Sequence, residues 1–294
     1  MAALAVSLRE VLPRDGFQDL GRFVPTATKV RIIEALHGVG LRWIEATSMV
    51  HPKWVPQFED AEAVVARIRQ LPGLRLAVFV PNRRGLDRAR AAGVDEVSLA
   101  VASTEALARS NFNASRDEVV AEARRVAEAG MSDGLEVSVT IGGAFGCPFE
   151  GPVPEMRVRS LVAAFAADGV PTLLLADTTG MGRPEVAGRL VAAVAAAHPD
   201  VALGCHFHGG AGALPNVQAA LEAGARLFDT SLAGYGGCPF VPDAPGNVPT
   251  EAVVALLAAR GVTLPLDAAA IRSCAATVRA LLEEETSHDV ARTN

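Results

Sequence analysis

The chain has 294 residues, half of them apolar and a fifth charged, with a formal charge of 27 − 33 = −6. This is ordinary globular composition, and an acidic balance with no basic stripe excludes a nucleic-acid partner. The apolar stretches, such as "RLVAAVAAAHPD", stop short of the roughly 20 residues of a membrane span, so a membrane partner is not expected and a soluble, cytoplasmic protein is.

Short β-branched or alternating runs recur along the chain, each followed by an amphipathic segment rich in Ala, Leu and Arg. Candidate strands fall at 5–11, 42–47, 75–80, 96–101, 136–141, 172–177, 201–208 and 227–233. Helical patterns lie between them: "TATKVRIIEALHGVG", "FEDAEAVVARIRQL", "RGLDRARAAG", "RDEVVAEARRVAEAG", "PEMRVRSLVAAFAADG", "RPEVAGRLVAAVAAAHPD" and "LPNVQAALEAG". "VPTEAVVALLAARG" follows the eighth strand, and a helical extension is expected from about 263. Several helices close on Gly just past the last periodic residue, where a left-handed cap belongs. Eight strands alternating with helices imply a parallel sheet. Eight repeats at this length, with no GxGxxG after the first strand, favour a closed (β/α)8 TIM barrel in one domain.

In such a barrel, chemistry sits at the carboxyl ends of the strands. Polar residues gather there in "PRDGFQ", "IEATS", "LADTTG", "HFH" and "AGYGGCPF". Glu96 and Glu136 begin their strands and read instead as stability or surface residues. His206 and His208 are two apart on one strand, so their side chains point the same way. An inward pair at the strand's end can bind a metal, and Asp15 and Asn247 could add oxygen ligands. Two imidazoles with an Asp and an Asn oxygen suit octahedral Mg2+, Mn2+ or Co2+ better than a closed zinc site. Asp15 beside Arg14 could equally form a structural ion pair.

The four cysteines, Cys147, Cys205, Cys238 and Cys274, form no CxxC pair and fit free thiols in a reducing compartment. The start, "MAALAVSLRE", has no basic segment followed by a long apolar core. Cys238 lies in the loop "GYGGCPFVPDAPGN", where a thiol could enter the site as an acid or base or could be idle. Cys147 is a weaker candidate of the same kind, and Cys274, on the last helix, is expected to be structural.

Together "REVLPRDGFQ", "IEATSMVHPKWVPQFED", "FGCPFEG", "LADTTGMG", "GCHFH" and "SLAGYGGCPFVPDAPGNVPTE" resemble the 3-hydroxy-3-methylglutaryl-CoA lyase branch of the metal-dependent aldolase and acyl-transferase barrels, over residues 7 to about 291. The resemblance implies a metal bound by Asp15, His206, His208 and Asn247. It implies Arg14 beside the reacting carbonyl, Glu45 and Asp177 as polar site residues, and Cys238 as the catalytic thiol. It further implies an acyl-CoA substrate, whose tertiary hydroxyl the metal makes more acidic. Cleavage would leave a thioester enolate, which Arg14 would stabilise and Cys238 would protonate. A homodimer is compatible with this reading. A related aldolase or Claisen-type synthase acting on a 2-oxo acid, and a non-catalytic binding homologue, are the alternatives.

The chain departs from the family pattern in two places. Leu12 stands where Gly is common, and Gly209 and Gly210 replace the polar pair that follows the second histidine, with small Ala211 and Ala213 beyond. Glycine fills no space, so a site that admits a 3-substituent larger than methyl is expected there.

Overall fold

The structure, a computed structural model, describes residues 5–237 and 245–292. Its centre is a closed barrel of eight parallel strands paired in chain order, with the eighth closing on the first. The strands are β1 (Ser7–Glu10), β2 (Trp43–Ser48), β3 (Arg75–Phe79), β4 (Glu96–Ala102), β5 (Glu136–Gly142), β6 (Thr172–Asp177), β7 (Ala202–Phe207) and β8 (Leu227–Thr230). Each agrees with a candidate read from the sequence to within a few residues at its ends.

Around them run α1 (Thr26–Gly38), α2 (Ala61–Ile68), α3 (Arg83–Ala92), α4 (Glu105–Phe112), α5 (Arg116–Ser132), α6 (Glu155–Ala167), α7 (Pro184–Ala197), α8 (Leu214–Ala223) and α9 (Thr250–Ala259). A longer helix, α10 (Ala268–Arg292), follows. Among the described residues no helix is long and apolar enough to cross a membrane. The helix α4 is an addition to the sequence reading. Its eight residues are too few to show a period, yet Thr104 caps it by accepting the Leu107 N–H. Ser115 and Glu118 start α5 with a reciprocal capping box.

Leu8 and Glu10 of β1 face the helices, whereas Arg9 faces the barrel axis and lies in a buried charged layer. Its guanidinium grips Asp229 of β8 through two bonds, Nε to Oδ1 at 2.8 Å and Nη2 to Oδ2 at 2.9 Å. Its Nη1 reaches Glu96 of β4 at 3.0 Å and Ser138 of β5 at 2.8 Å. Arg75 adds a second cation to Glu96 at 2.7 Å and stacks on Trp43, 3.6 Å from the ring centroid. Glu96 is therefore fully buried and central to the barrel, while Glu136 is 58% exposed and pairs only at the rim. A TIM barrel is usually filled by branched apolar side chains. Here a layer of paired charges takes their place and forms the floor beneath the mouth.

Candidate active site

Arg14 and Asp15 follow β1 in one tight helical turn, Leu12–Gly16. The Val11 carbonyl accepts the N–H groups of Arg14 at 3.1 Å and Asp15 at 2.7 Å, so both side chains leave the strand end together. Leu12 is fully buried and packs into the core rather than the site. On β2, Glu45 sits at an irregularity in the pairing with β3, between Glu45 and Thr47, a device that re-aims a side chain. Arg14 Nε donates to Glu45 Oε2 at 2.6 Å, and its Nη1 pairs with Asp15 Oδ1. The Ser98 hydroxyl donates to the other Glu45 oxygen. The carboxylate thus has both oxygens engaged and holds the guanidinium in place. The charge of Glu45 lifts Arg14 above its ordinary range although burial opposes it.

At the end of β7, His206 and His208 point inward as a pair. His206 Nδ1 lies 3.1 Å from Asp229 Oδ2, and His208 Nδ1 lies 2.7 Å from the Pro245 carbonyl. Both acceptors need the proton on Nδ1, which leaves a lone pair on each Nε2. Those two atoms face each other at 2.8 Å. Lone pairs cannot share that space unless a proton or a cation lies between them. The spacing matches the edge of a coordination octahedron, about 3 Å for ligands near 2.1 Å from the ion. Asp15 Oδ2 is 3.8 Å from His208 Nε2, and one atom from each of Asp15, His206 and His208 lies within 4.8 Å of the others.

Asn247 completes the cluster. Its Nδ2 donates to Asp15 Oδ2 at 2.6 Å and to the Tyr235 carbonyl at 3.0 Å, while its buried Oδ1 has no hydrogen-bond partner among the described residues. An orphaned amide oxygen beside a carboxylate and two facing lone pairs is the donor set a divalent cation requires, so these residues fit one. Electrostatics agree. Burial opposes ionisation of Asp15, but Arg14 and the two imidazoles outweigh it and hold the carboxyl below its usual range. Burial and the neighbouring His206 push His208 down to about 4. Burial also opposes the charge on His206, but the Asp229 hydrogen bond and the nearby carboxylates lift it above the ordinary histidine value.

The structure thus brings Arg14, Asp15, Glu45, His206, His208 and Asn247 to one place. Asp177 is placed differently. By strand alternation it lies on the helix-facing side with Leu173 and Leu175, and its carboxylate accepts the N–H groups of Met181 at 3.0 Å and Gly182 at 2.9 Å. It shapes the loop after β6 and is not in the cavity wall. Cys238 lies outside the described residues. Cys147 is buried with its Sγ 3.1 Å from the Thr104 hydroxyl, and Cys274 is buried on α10 with its thiol pushed up to about 11 by burial. The residues missed from the sequence are Asp229 and Ser98. The signal for Asp229 was a lone charge in the apolar run "RLFDT", opposite His206 in register.

Gly209 and Gly210 follow the second histidine into the next loop. Their N–H groups both donate to the Gly246 carbonyl, at 2.8 and 3.0 Å, and the pair is not part of the cavity wall. The positive φ angles, +123° at Gly209 and +56° at Gly210, are what let successive amides converge on one carbonyl. The pair fastens the segment that delivers Asn247. A cavity of about 720 Å³ opens over Arg14, Asp15, Glu45, His206 and His208 and extends past β4 to α4 and α5.

A closed parallel barrel carrying an Asp–His–His cluster able to hold a cation at the carboxyl ends of its strands defines the class of metal-dependent TIM-barrel enzymes. The family model described as HMGL-like matches residues 5–278, and the chain belongs to this family, that of the hydroxymethylglutaryl-CoA lyases. It is 38% identical over 279 residues to the hydroxymethylglutaryl-CoA lyase of Pseudomonas mevalonii, covering 95% of this chain and 93% of that protein. With the mitochondrial hydroxymethylglutaryl-CoA lyase of Arabidopsis thaliana it is 40% identical over 263 residues, 89% of this chain and 56% of that longer protein. The structure of an HMG-CoA lyase from Acinetobacter baumannii, in complex with coenzyme A and 3-methylmalate, superposes with a TM-score of 0.90 at 35% identity, covering 96% of this chain and 93% of that one.

Proposed function

We propose that the chain is a carbon–carbon lyase that cleaves 3-hydroxy-3-methylglutaryl-CoA, or a close 3-alkyl analogue, to acetyl-CoA and a 3-oxo acid. The observation that carries this reading is the Asp15–His206–His208 cluster beside a fixed Arg14 in one cavity. Family membership supplies the acyl-CoA substrate class.

A divalent cation, Mg2+, Mn2+ or Co2+, held by Asp15, His206, His208 and Asn247 would make the substrate's tertiary hydroxyl more acidic. Once a base takes the hydroxyl proton, the bond between the carbinol carbon and the carbon α to the thioester carbonyl breaks, and its electron pair becomes a thioester enolate as the carbinol becomes a ketone. Arg14 keeps its guanidinium aimed into the cavity because Glu45 and Asp15 hold it, and it stabilises the negative enolate oxygen. Glu45 is a positioning group, itself oriented by Ser98. Cys238 is assigned as the acid that returns a proton to the enolate carbon, as in the family resemblance. The buried thiols Cys147, Cys205 and Cys274 fit a reducing compartment such as the cytoplasm.

The test is release of acetyl-CoA from 3-hydroxy-3-methylglutaryl-CoA by chelated protein, with and without added Mg2+ or Mn2+. Activity is expected only with the metal. Full activity in chelator would remove the metal from the reading, and no release under any condition would remove the lyase.

A further inference from the structure

The barrel interior is hollow on one side. Strands alternate inward and outward, so on β4 the face that carries Glu96 also carries Ser98, Ala100 and Ala102. On β5 the face of Ser138 continues with Thr140 and Gly142, and on β6 the buried Leu174, beside Thr140, is followed on the inward face by Ala176 at the top. Ala100 lies beside Thr140 and Ala102 beside Gly142 in register, and Ala176 lies beside His206. Threonine is the largest of Ala100, Ala102, Thr140, Gly142 and Ala176, where a barrel interior normally carries branched aliphatic side chains. Ala100, Thr140 and Gly142 consequently remain partly exposed although they lie inside the barrel, while Leu99 and Val101, facing the helices, are 2% and 1% exposed.

This wall chemistry selects an occupant. The charges below it are consumed by each other, Arg9 with Asp229 and Glu96, and the Ser98 hydroxyl is spent on Glu45. What remains is mainly methyl and backbone surface with the Thr140 hydroxyl, better suited to an alkyl group than to a second carboxylate. The chamber adjoins the cation cluster through Ala176 and His206, while Arg14 and Glu45 approach from β1 and β2.

Resting on the lyase reading above, we infer that the hollow along β4, β5 and β6 is the subsite for the substrate's 3-substituent, and that it takes an alkyl group larger than methyl. A tertiary carbinol whose hydroxyl faces the cation cluster and whose thioester faces Arg14 has its carboxymethyl arm and one further substituent left to place. The small apolar wall beside His206 receives the latter.

The experiment compares kcat/KM for 3-hydroxy-3-methyl-, 3-propyl- and 3-isopentylglutaryl-CoA in metal-loaded protein. It also compares binding of the matching 3-alkylglutaryl-CoA esters, which lack the hydroxyl and cannot be cleaved. The isopentyl ester is expected to be turned over at least as efficiently as the methyl ester and to bind more tightly. Ala100→Leu, and separately Thr140→Leu, should lower the isopentyl-to-methyl ratio by about tenfold or more in both readouts, the scale of one or two misfitted methylenes. A native preference for the methyl ester of about a hundredfold or more overturns the subsite, as do variants that weaken all esters equally. Turnover of none of the esters overturns the lyase reading, and the subsite with it, whereas methyl-only turnover overturns the subsite alone.

Discussion

At the scale of single residues, two imidazoles that face each other through their Nε2 atoms decide what the mouth of this barrel can hold. The Pro245 carbonyl and the Asp229 carboxylate fix both Nδ1 protons, so the 2.8 Å gap belongs to a proton or to a cation. Asp229 and the neighbouring charges raise His206 against the pull of burial, so the metal-free protein holds that proton to higher pH than an ordinary histidine would. Cation binding must then displace it. Calorimetry of Mn2+ binding in buffers of different ionisation enthalpy should show proton release, with affinity falling as pH drops below the raised His206 value. An apparent enthalpy that ignores the buffer would contradict this. The same geometry makes Asp229 a positioning residue. Asp229→Asn should weaken Mn2+ binding by roughly 10- to 100-fold, and Ser138→Ala, in the same charged layer but without contact to either histidine, should not. Equal losses in the two variants would mean a general loosening of the barrel. The proposed ligands were legible because short motifs carry them: RDG, HxH and GN. Asp229 was not, because its role depends on which residue of β8 stands beside His206, and that is a fact of register.

At the scale of elements, alternation explains both what the sequence showed and where it misled. It placed His206 and His208 together, and the same count puts Asp177 on the outer face, where it binds loop amides. The glycines after β7 looked like empty space, but in three dimensions they bind the Gly246 carbonyl and so bring Asn247 to β7, where it bridges His208. Another glycine faces Asn247 from the other side. A Cβ on Gly236 would run into Asn247 Nδ2 and come within 2.9 Å of Asp15 Oδ2, and its φ of +124° already disfavours a side chain. Gly236→Ala should therefore abolish tight cation binding while the circular dichroism spectrum and cooperative unfolding persist. Unchanged Mn2+ affinity in that variant would show that Asn247 is not a ligand. Nothing in the spacing "GYGG" announces this contact, because the chain must turn back on itself before the two segments meet.

At the scale of the whole molecule, the barrel closes where β8 meets β1, and one buried carboxyl fastens that seam. Glu10 Oε1 accepts the N–H groups of Leu12 at 3.0 Å and Leu232 at 2.9 Å, and Oε2 accepts the Thr250 hydroxyl at 2.6 Å. It thus ties the first strand to the segment after the eighth and to the start of α9. The repeated strand–helix alternation made the barrel legible in the sequence, but Glu10 read only as one residue of a strand, since its three partners lie up to 240 positions away. Burial pushes this carboxyl up to about 7 from 4.5, against the three donors and with help from the charge of Glu251. The folded state then binds the proton more tightly than the unfolded chain does. Its contribution to stability is complete below pH 4.5 and is lost as pH rises through about 7. The shift corresponds to about 3 kcal/mol. Glu10→Gln reproduces the protonated form, because its amide oxygen can accept both backbone N–H groups while its amide N–H faces the Thr250 hydroxyl, which can still donate to Thr230. Urea unfolding of both proteins between about pH 5 and pH 8.5 should show the native chain losing stability relative to the variant as pH rises, by a few kcal/mol in all. A difference that stays constant to within about 0.5 kcal/mol across that range, the scatter of an ordinary surface substitution, would mean that the three donors keep Glu10 ionised throughout.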